Sequence, residues 1–326
     1  MRRRRNKKIN QVDAILTSDW HLRPDTPTSR TDDYQKAMWK KVEFIIALSR
    51  KHQCPILHAG DMFHKPNQPS WLIEEFMRLI NKSIDKFNLK NYTQIDLLLA
   101  GQGIICVAGQ HDLPAHNLNN WHKSALGAMT RASYTIPLGA TIYNHWSSNV
   151  FNAKGFSFGQ ELEHNPDEDF DVAIIHKMVI EDKPEWPGQV ADSAISILKK
   201  YPLFKLIITG DNHRPFTAEY KGQLLVNPGS MMRMTAAQIV HKPRVYLWNA
   251  KENSVEVVYL PIEKDVLNRS HIDKRQEIDE RIAEYTERLK IKFKAGINFK
   301  ENLESHFQNT RTRRQVKERV WEACDN

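Results

Sequence analysis

Five short apolar runs in this chain each end in residues able to bind a metal ion, and that repetition restricts the fold more than any other feature. Ala14-Ile15-Leu16-Thr17-Ser18 leads to Asp19 and His21. Ile56-Leu57-His58-Ala59-Gly60 leads to Asp61, and residues 104–109 lead to Gln110-His111-Asp112. Val172-Ala173-Ile174-Ile175 leads to His176, and residues 206–210 lead to Asp211-Asn212-His213. Each run reads as a buried strand. In α/β proteins, ligands bind outside the carboxyl edge of the sheet, so the five run ends are expected to meet at one edge. A lone D-x-H is weak evidence, and a lone strand-end histidine is more often structural. Chance does not supply five in this order.

The segments between the runs fit the same architecture. Residues 34–51 carry Met38, Val42, Ile45, Ile46 and Leu48 at helical spacing, which gives a strand-helix-strand unit up to Leu57. Residues 71–87, 119–131 and 191–200 also read as helices. From 134 to 158 the pattern becomes short alternating runs with Gly and Asn, which predicts antiparallel strands. Residues 223–226 and 244–260 read as closing strands. Between them lies Asn227-Pro228-Gly229-Ser230-Met231-Met232-Arg233-Met234, a loop whose methionines either pack or line a groove. Beyond Pro261 the composition changes. Residues 270–293 are charged with an apolar stripe, and residues 300–323 form a second helical stretch. Both are too thin in apolar residues for a separate core, so they are expected to pack on the main domain or on a partner. The expected organisation is a basic arm over 1–10, a catalytic domain over 11–262 and a helical extension over 263–326.

Bulk properties narrow the class. The 326 residues are 40% hydrophobic and 26% charged, and no apolar run approaches the roughly 20 residues of a membrane span. The basic start, Met1 to Lys8, has no apolar segment behind it and does not read as a secretory signal. Three dispersed cysteines (Cys54, Cys106, Cys324) do not make a disulfide framework and suit a reducing cytoplasm. A net charge of +8 makes polyanions, nucleic acid first, plausible partners. The same charge could also serve solubility alone.

The strand-end motifs resemble those of the calcineurin-like metallophosphoesterases. They are D-x-H (Asp19, His21), G-D-x-x-H (Gly60, Asp61, His64), G-[N/Q]-H-D (Gly109 to Asp112), the lone His176, and G-x-x-H (Gly210 to His213). The likeness spans residues 12–260 and implies a two-sheet α/β sandwich with a helical C-terminal extension. Within that superfamily, Gly60-Asp61-Met62-Phe63-His64 followed by Asn67, Pro69 and Ser70 is most similar to the SbcD-type nuclease subunit of DNA double-strand-break repair, and to phage recombination endonucleases. The resemblance implies two divalent ions, manganese before magnesium. Asp19, His21 and His213 would hold one, and Gln110, His176 and Asp211 the other, with Asp61 between them. Two metals about 3.5–4 Å apart suit phosphodiester hydrolysis, which needs an activated water and neutralised oxygens. His111 would stabilise the transition state or protonate the leaving oxygen, oriented by Asp112. His64 and Arg23 would meet the substrate. The implied partners are DNA, a second copy in a homodimer, and an SbcC-type coiled-coil ATPase docked on residues 265–326.

Two positions depart from the family pattern. Gln110 stands where Asn is usual, and Asp211 where a His is usual. Both concern the second metal. A third carboxylate and harder oxygen donors favour manganese or magnesium over zinc, and the added charge weakens Lewis acidity. Alternative readings are therefore a phosphomonoesterase or small-molecule phosphodiesterase, and a weakly catalytic DNA-end-binding scaffold. Other residues invite simpler readings: His58 as a satisfied core histidine, Asp33 and residues 167–171 as surface, and His52, His116, His122, His145 and His241 as surface or structural. Arg23, too, could be merely solvated.

Overall fold

A strand that is apolar at every position must be covered on both faces, and the computed structural model shows what covers these. It describes residues 9–86, 103–139, 145–163, 167–182, 191–268 and 299–325. The chain divides into two compact units, Met1–Val266 and Leu267–Asn326.

The first unit is built on two six-stranded sheets. The first contains β1 (Ala14–Thr17), β2 (Ile56–His58), β3 (Ile104–Val107), β4 (Thr135–Leu138), β13 (Arg244–Asn249) and β14 (Ser254–Tyr259), in the order β14-β13-β1-β2-β3-β4. The second contains β5 (His145–Ser147), β6 (Asn152–Phe156), β7 (Val172–Ile175), β10 (Leu206–Thr209), β11 (Phe216–Tyr220) and β12 (Gln223–Asn227), in the order β11-β12-β10-β7-β6-β5. A short parallel pair, β8 (Val179–Ile180) and β9 (Asp192–Ser193), lies outside both.

Because side chains alternate along a strand, each run divides its residues between two cores. Leu16, Leu57, Ile105 and Val107 of the first sheet share one cluster with Val172, Ile174, Leu206, Ile208, Leu224 and Val226 of the second. Those are the inner faces, packed sheet on sheet. The alternate residues Ile15, Ile56, Ile104 and Cys106 join Met38, Val42, Ile45, Leu72, Phe76 and Leu79. These last come from α1 (Tyr34–His52) and α2 (Ser70–Lys86), which cover the first sheet. Ala173, Ile175, Ile207 and Leu225 likewise join Ala194, Ile197 and Leu198 of α4 (Ala194–Lys200). The result is a two-sheet α/β sandwich with helices outside, as the strand-end motifs imply.

Strand direction then sets the chemistry. β1, β2, β3 and β4 run parallel, as do β6, β7, β10 and β12. Their carboxyl ends therefore lie side by side. The expectation of antiparallel strands over 134–158 holds for β5 with β6 only. β4 pairs parallel with β3 through the short crossover helix α3 (Ala125–Arg131), and β6 pairs parallel with β7. Alternation in a sequence reports a half-buried strand, not its neighbour's direction. The helix expected over 119–131 is a 3₁₀ stretch, Leu118–Lys123, followed by α3, which Ser124 caps through its side chain to the Gly127 N–H. The Met-rich loop packs: Met231, Met232 and Met234 are buried in the first core.

In the second unit, the stretch expected to be one helix is two, α5 (Phe299–Asn309) and α6 (Arg314–Asp325). The Thr310 hydroxyl donates to the His306 carbonyl at 2.8 Å, and this local competition with the helix ladder falls where α5 ends. Phe307 meets Trp321 edge-on at 6.2 Å, and Lys317 donates to the Phe307 carbonyl. Residues 1–8 of the basic arm, the charged stretch 270–293 and part of the loop at 183–190 lie outside the described residues. No described helix is long and apolar enough to cross a membrane.

Candidate metal centre

The carboxyl ends of β1 and β2 continue as a backbone ladder beyond the strands themselves. Asp19 N–H donates to Gly60 O, His21 N–H to Asp61 O, and Leu22 N–H to Met62 O. Within that ladder Asp19, His21 and Asp61 have φ of 49°, 47° and 56°, and Asp211 has 74°. Left-handed conformations are uncommon for residues with a side chain and collect at functional sites. Gly60 (φ +88°) and Gly109 leave room where a side chain could not fit. A Cβ on Gly60 would stand 2.3 Å from His176 Nδ1, and one on Gly109 would stand 2.1 Å from Asp61 Oδ1.

These turns gather the expected ligands. Donor atoms of Asp19, His21 and His213 lie within 4.8 Å of one another, and so do those of Asp19, Asp61 and His176. The Nε2 atoms of His21 and His213 face each other at 3.1 Å. Asp61 spans both groups: its Oδ2 is 3.8 Å from His21 Nε2 and 3.5 Å from His176 Nε2. Its Oδ1 accepts the His111 N–H at 2.9 Å. Asp61 Oδ2 and Asp19 Oδ2 are buried without any hydrogen-bond partner. Orphaned carboxylate oxygens are costly in an apolar interior, and Asp61 Oδ2 lies between the His21 and His176 ring nitrogens. Such a donor set fits divalent cations.

His176 Nδ1 lies 2.7 Å from the Ala59 carbonyl. That contact fixes the ring and leaves Nε2 facing the site. Burial acts against charging His176, but Asp61, then Asp19, outweigh it and raise its pKa to about 10. For Asp61, burial pushes upward, yet His176, His21 and His111 hold it well below the usual carboxylate range. Burial raises Asp19 despite the opposing histidines. Burial also keeps His21 well below the ordinary imidazole value, Asp61 opposing.

The two departures from the family pattern touch each other. Gln110 Nε2 donates to Asp211 Oδ1 at 2.7 Å, and Gln110 Oε1 lies 2.6 Å from His176 Nε2. The longer amide thus reaches between the two and presents its oxygen beside the His176 nitrogen. The Asp211 N–H donates to Asp19 Oδ1 at 3.1 Å, which ties the two sheets together at the centre.

His64 joins the site from the β2 loop. Its ring stacks on His111 at 5.4 Å and 14°, and both face His21. Burial lowers its pKa to about 4, with Arg23 and His111 adding to the effect. Arg23 is engaged rather than free, since both Nε and Nη2 bond the Asp25 carboxylate. Asp112 does not orient His111. Its buried carboxylate accepts the N–H groups of Met62, Phe63 and Gly109 at 3.2, 2.9 and 3.0 Å. The His111 ring is held instead by the His64 carbonyl, 3.0 Å from Nδ1. The family resemblance implied the first arrangement; the fold of the β2 loop decided the second.

Other readings also change. His58 is a core residue, 0% exposed, but both ring nitrogens lack hydrogen-bond partners. Asp33 is exposed, as expected, and also caps α1, accepting the Lys36 N–H at 3.0 Å. Several residues not singled out from the sequence shape the centre. Asn227 Nδ2 donates to the carbonyls of Asn212 and Arg214, and Asn212 Nδ2 donates to Val179 O. Ser230 N–H donates to His213 O, and Met231 N–H to Asp19 O. The only prior signal for them was the Asn-Pro-Gly turn composition.

The sequence matches one family model, that of the calcineurin-like phosphoesterases, over residues 14–215. No curated protein sequence matches the chain. Solved structures with a similar chain trace include the protein TT1561 of Thermus thermophilus, with a TM-score of 0.44, 11% identity, and coverage of 77% of this chain and 100% of that one. A novel archaeal phosphodiesterase gives 0.39 at 12% identity, covering 76% and 99%. A putative 5'-nucleotidase from Staphylococcus aureus, in complex with alpha-ketoglutarate, gives 0.41 at 16% identity, covering 81% and 57%.

Proposed function

Because this chain belongs to the calcineurin-like phosphoesterase family, whose members hydrolyse phosphoesters with divalent metal ions, we propose that it is a DNA nuclease of the SbcD type. The observation that carries this reading is the stacked pair of His64 and His111, set against His21 beside the metal-binding carboxylates. The segment Gly60 to His64, the most nuclease-like stretch in the sequence, delivers His64 to that pair, and the turn after β3 delivers His111.

Asp19, His21 and His213 would hold one ion and Gln110, His176 and Asp211 the other, with Asp61 available to both. When bound, the two ions supply an activated water and neutralise the phosphoryl oxygens. The oxygen-rich second set favours manganese, then magnesium. His111 binds the scissile phosphate or protonates the leaving oxygen, fixed by the His64 carbonyl. His64 closes the same side of the site. Arg23, paired with Asp25, acts on the substrate through its charge beside His64. The net charge of +8 suits a polyanionic substrate. By the same resemblance the protein works in the cytoplasm as a homodimer beside an SbcC-type coiled-coil ATPase, with the C-terminal helices as the dock. Co-purification of that ATPase, lost on deleting residues 267–326, tests the last point.

Manganese-dependent digestion of linear duplex and single-stranded DNA tests the whole. The expected result is degradation that stops with EDTA and falls about 100-fold or more in His111→Ala. Equal rates for the two proteins, or a small chromogenic phosphate ester turned over faster than DNA, sinks the nuclease assignment.

A further inference from the structure

A cavity of about 590 Å³ opens from the exposed side of His213, within the usual size range of ligand pockets, about 300–1,000 Å³. One wall is the loop holding Arg214 and Pro215. The other is the turn from Thr235 to Lys242, and Arg244 completes the rim. Among the described residues no carboxylate lines it. Asn212, Arg214 and Pro215 of the same loop also border a smaller cavity of about 290 Å³ that carries Glu181 and Asp182. A polyanion leaving the metal centre past His213 is therefore attracted by Lys242 and Arg244 of the larger cavity.

The basic cavity is also built rather than incidental. Gln238 locks its turn: Oε1 accepts the N–H groups of Met234 and Thr235, and Nε2 donates to Ser230 Oγ at 2.9 Å. The His241 ring lies 2.8 Å from the Ser230 carbonyl, and burial lowers its pKa to about 4, so it serves as a wall, not a cation. Arg244 is steadied by its own Nε bond to the Lys242 carbonyl at 3.0 Å and by the Tyr259 ring, 5.0 Å away. Val240, 83% exposed, sets an aliphatic surface among the cations. Cations beside an apolar surface match the alternation of phosphate and sugar along a strand.

We propose that the cavity between the His213–Pro215 loop and the Thr235–Lys242 turn seats the nucleic-acid backbone next to the scissile bond, with Arg214, Lys242 and Arg244 on non-scissile phosphates. The inference rests on the nuclease reading and goes further, since it assigns the strand flanking the scissile bond to one cavity and three named cations. A labelled single-stranded oligonucleotide, titrated by fluorescence anisotropy in EDTA, reads the seat without metal chemistry. Lys242→Glu weakens binding about fivefold or more and lowers the salt slope by about 0.7. Arg214→Gln acts in the same direction. Lys251→Glu, the same charge change on the exposed turn after β13, leaves both readouts within error. In manganese, Lys242→Glu loses more activity on the oligonucleotide than on bis(p-nitrophenyl) phosphate. If Lys242→Glu behaves as Lys251→Glu does, or loses both activities equally, the seat is refuted while the nuclease reading stands. If the unaltered protein hydrolyses the small diester yet neither binds nor cuts the oligonucleotide, the nuclease reading falls and this inference falls with it.

Discussion

Replacing His58 by Leu should remove a specific part of the protein's sensitivity to acid. His58 ends β2 between Thr17 and Cys106, under the Trp20 ring at 5.0 Å. It is fully buried and neither ring nitrogen has a partner. Burial lowers its pKa from 6.5 to about 3, and His176 adds to that. A base whose folded pKa is depressed stays neutral in the fold while the unfolded chain takes up a proton. Its contribution is therefore intact above pH 6.5 and is lost as pH falls toward 3. The full gap corresponds to about 5 kcal/mol, of which about 2 kcal/mol is already lost at pH 5. In EDTA, urea unfolding at pH 7.5 and pH 5 measures the loss. The unaltered protein should lose about 2 kcal/mol more between the two than His58→Leu does. At pH 7.5 the variant should be at least as stable, because two unpaired buried nitrogens are gone. Equal losses in both proteins would refute the assignment of His58 as a neutral, unpartnered core residue.

Three further outcomes follow from the site. Gly109→Ala forces a Cβ to within 2.1 Å of Asp61 Oδ1 and 2.4 Å of its backbone nitrogen; calorimetric titration with manganese should show binding reduced about 10–100-fold, the scale of disturbing a ligand's orientation, and unchanged binding would mean the loop yields freely. Asp112→Asn turns one of the two oxygens that accept three backbone N–H groups into an NH2 donor, leaving a buried N–H without its acceptor at a cost of about 1–3 kcal/mol, so thermal unfolding should move down by several degrees; no shift would show the β2 loop is held otherwise. Gln110→Asn and Asp211→His each break the bond between the two side chains, so a double-mutant cycle on manganese affinity should give a coupling of about 0.5–3 kcal/mol; additive effects would mean the pair acts independently.

Much of the fold was legible because it rests on burial. Runs without polar positions need two covered faces, and helical spacing in residues 34–51 supplied one cover. The five strand ends marked the ligands for the same reason: polar groups that close apolar runs collect at the carboxyl edge. Direction and partner were not legible. Nothing in Thr135 to Leu138 distinguishes a strand parallel to β3 from the antiparallel one expected, because alternation records exposure alone.

What the sequence by itself determined is the inventory: which side chains carry lone pairs, where they stand on the strands, and that Gln110 and Asp211 both depart from the usual pattern. Only the tertiary structure decided how they are used. It joined those two residues, far apart in the chain, through one hydrogen bond. It turned Asp112 toward the Met62, Phe63 and Gly109 amides instead of the neighbouring imidazole. It also gathered Arg214, Lys242 and Arg244 around one cavity beside His213. The physical reason is that hydrogen bonds and fields act over a few ångströms of space, and distance along the chain carries no information about which groups will share those few ångströms.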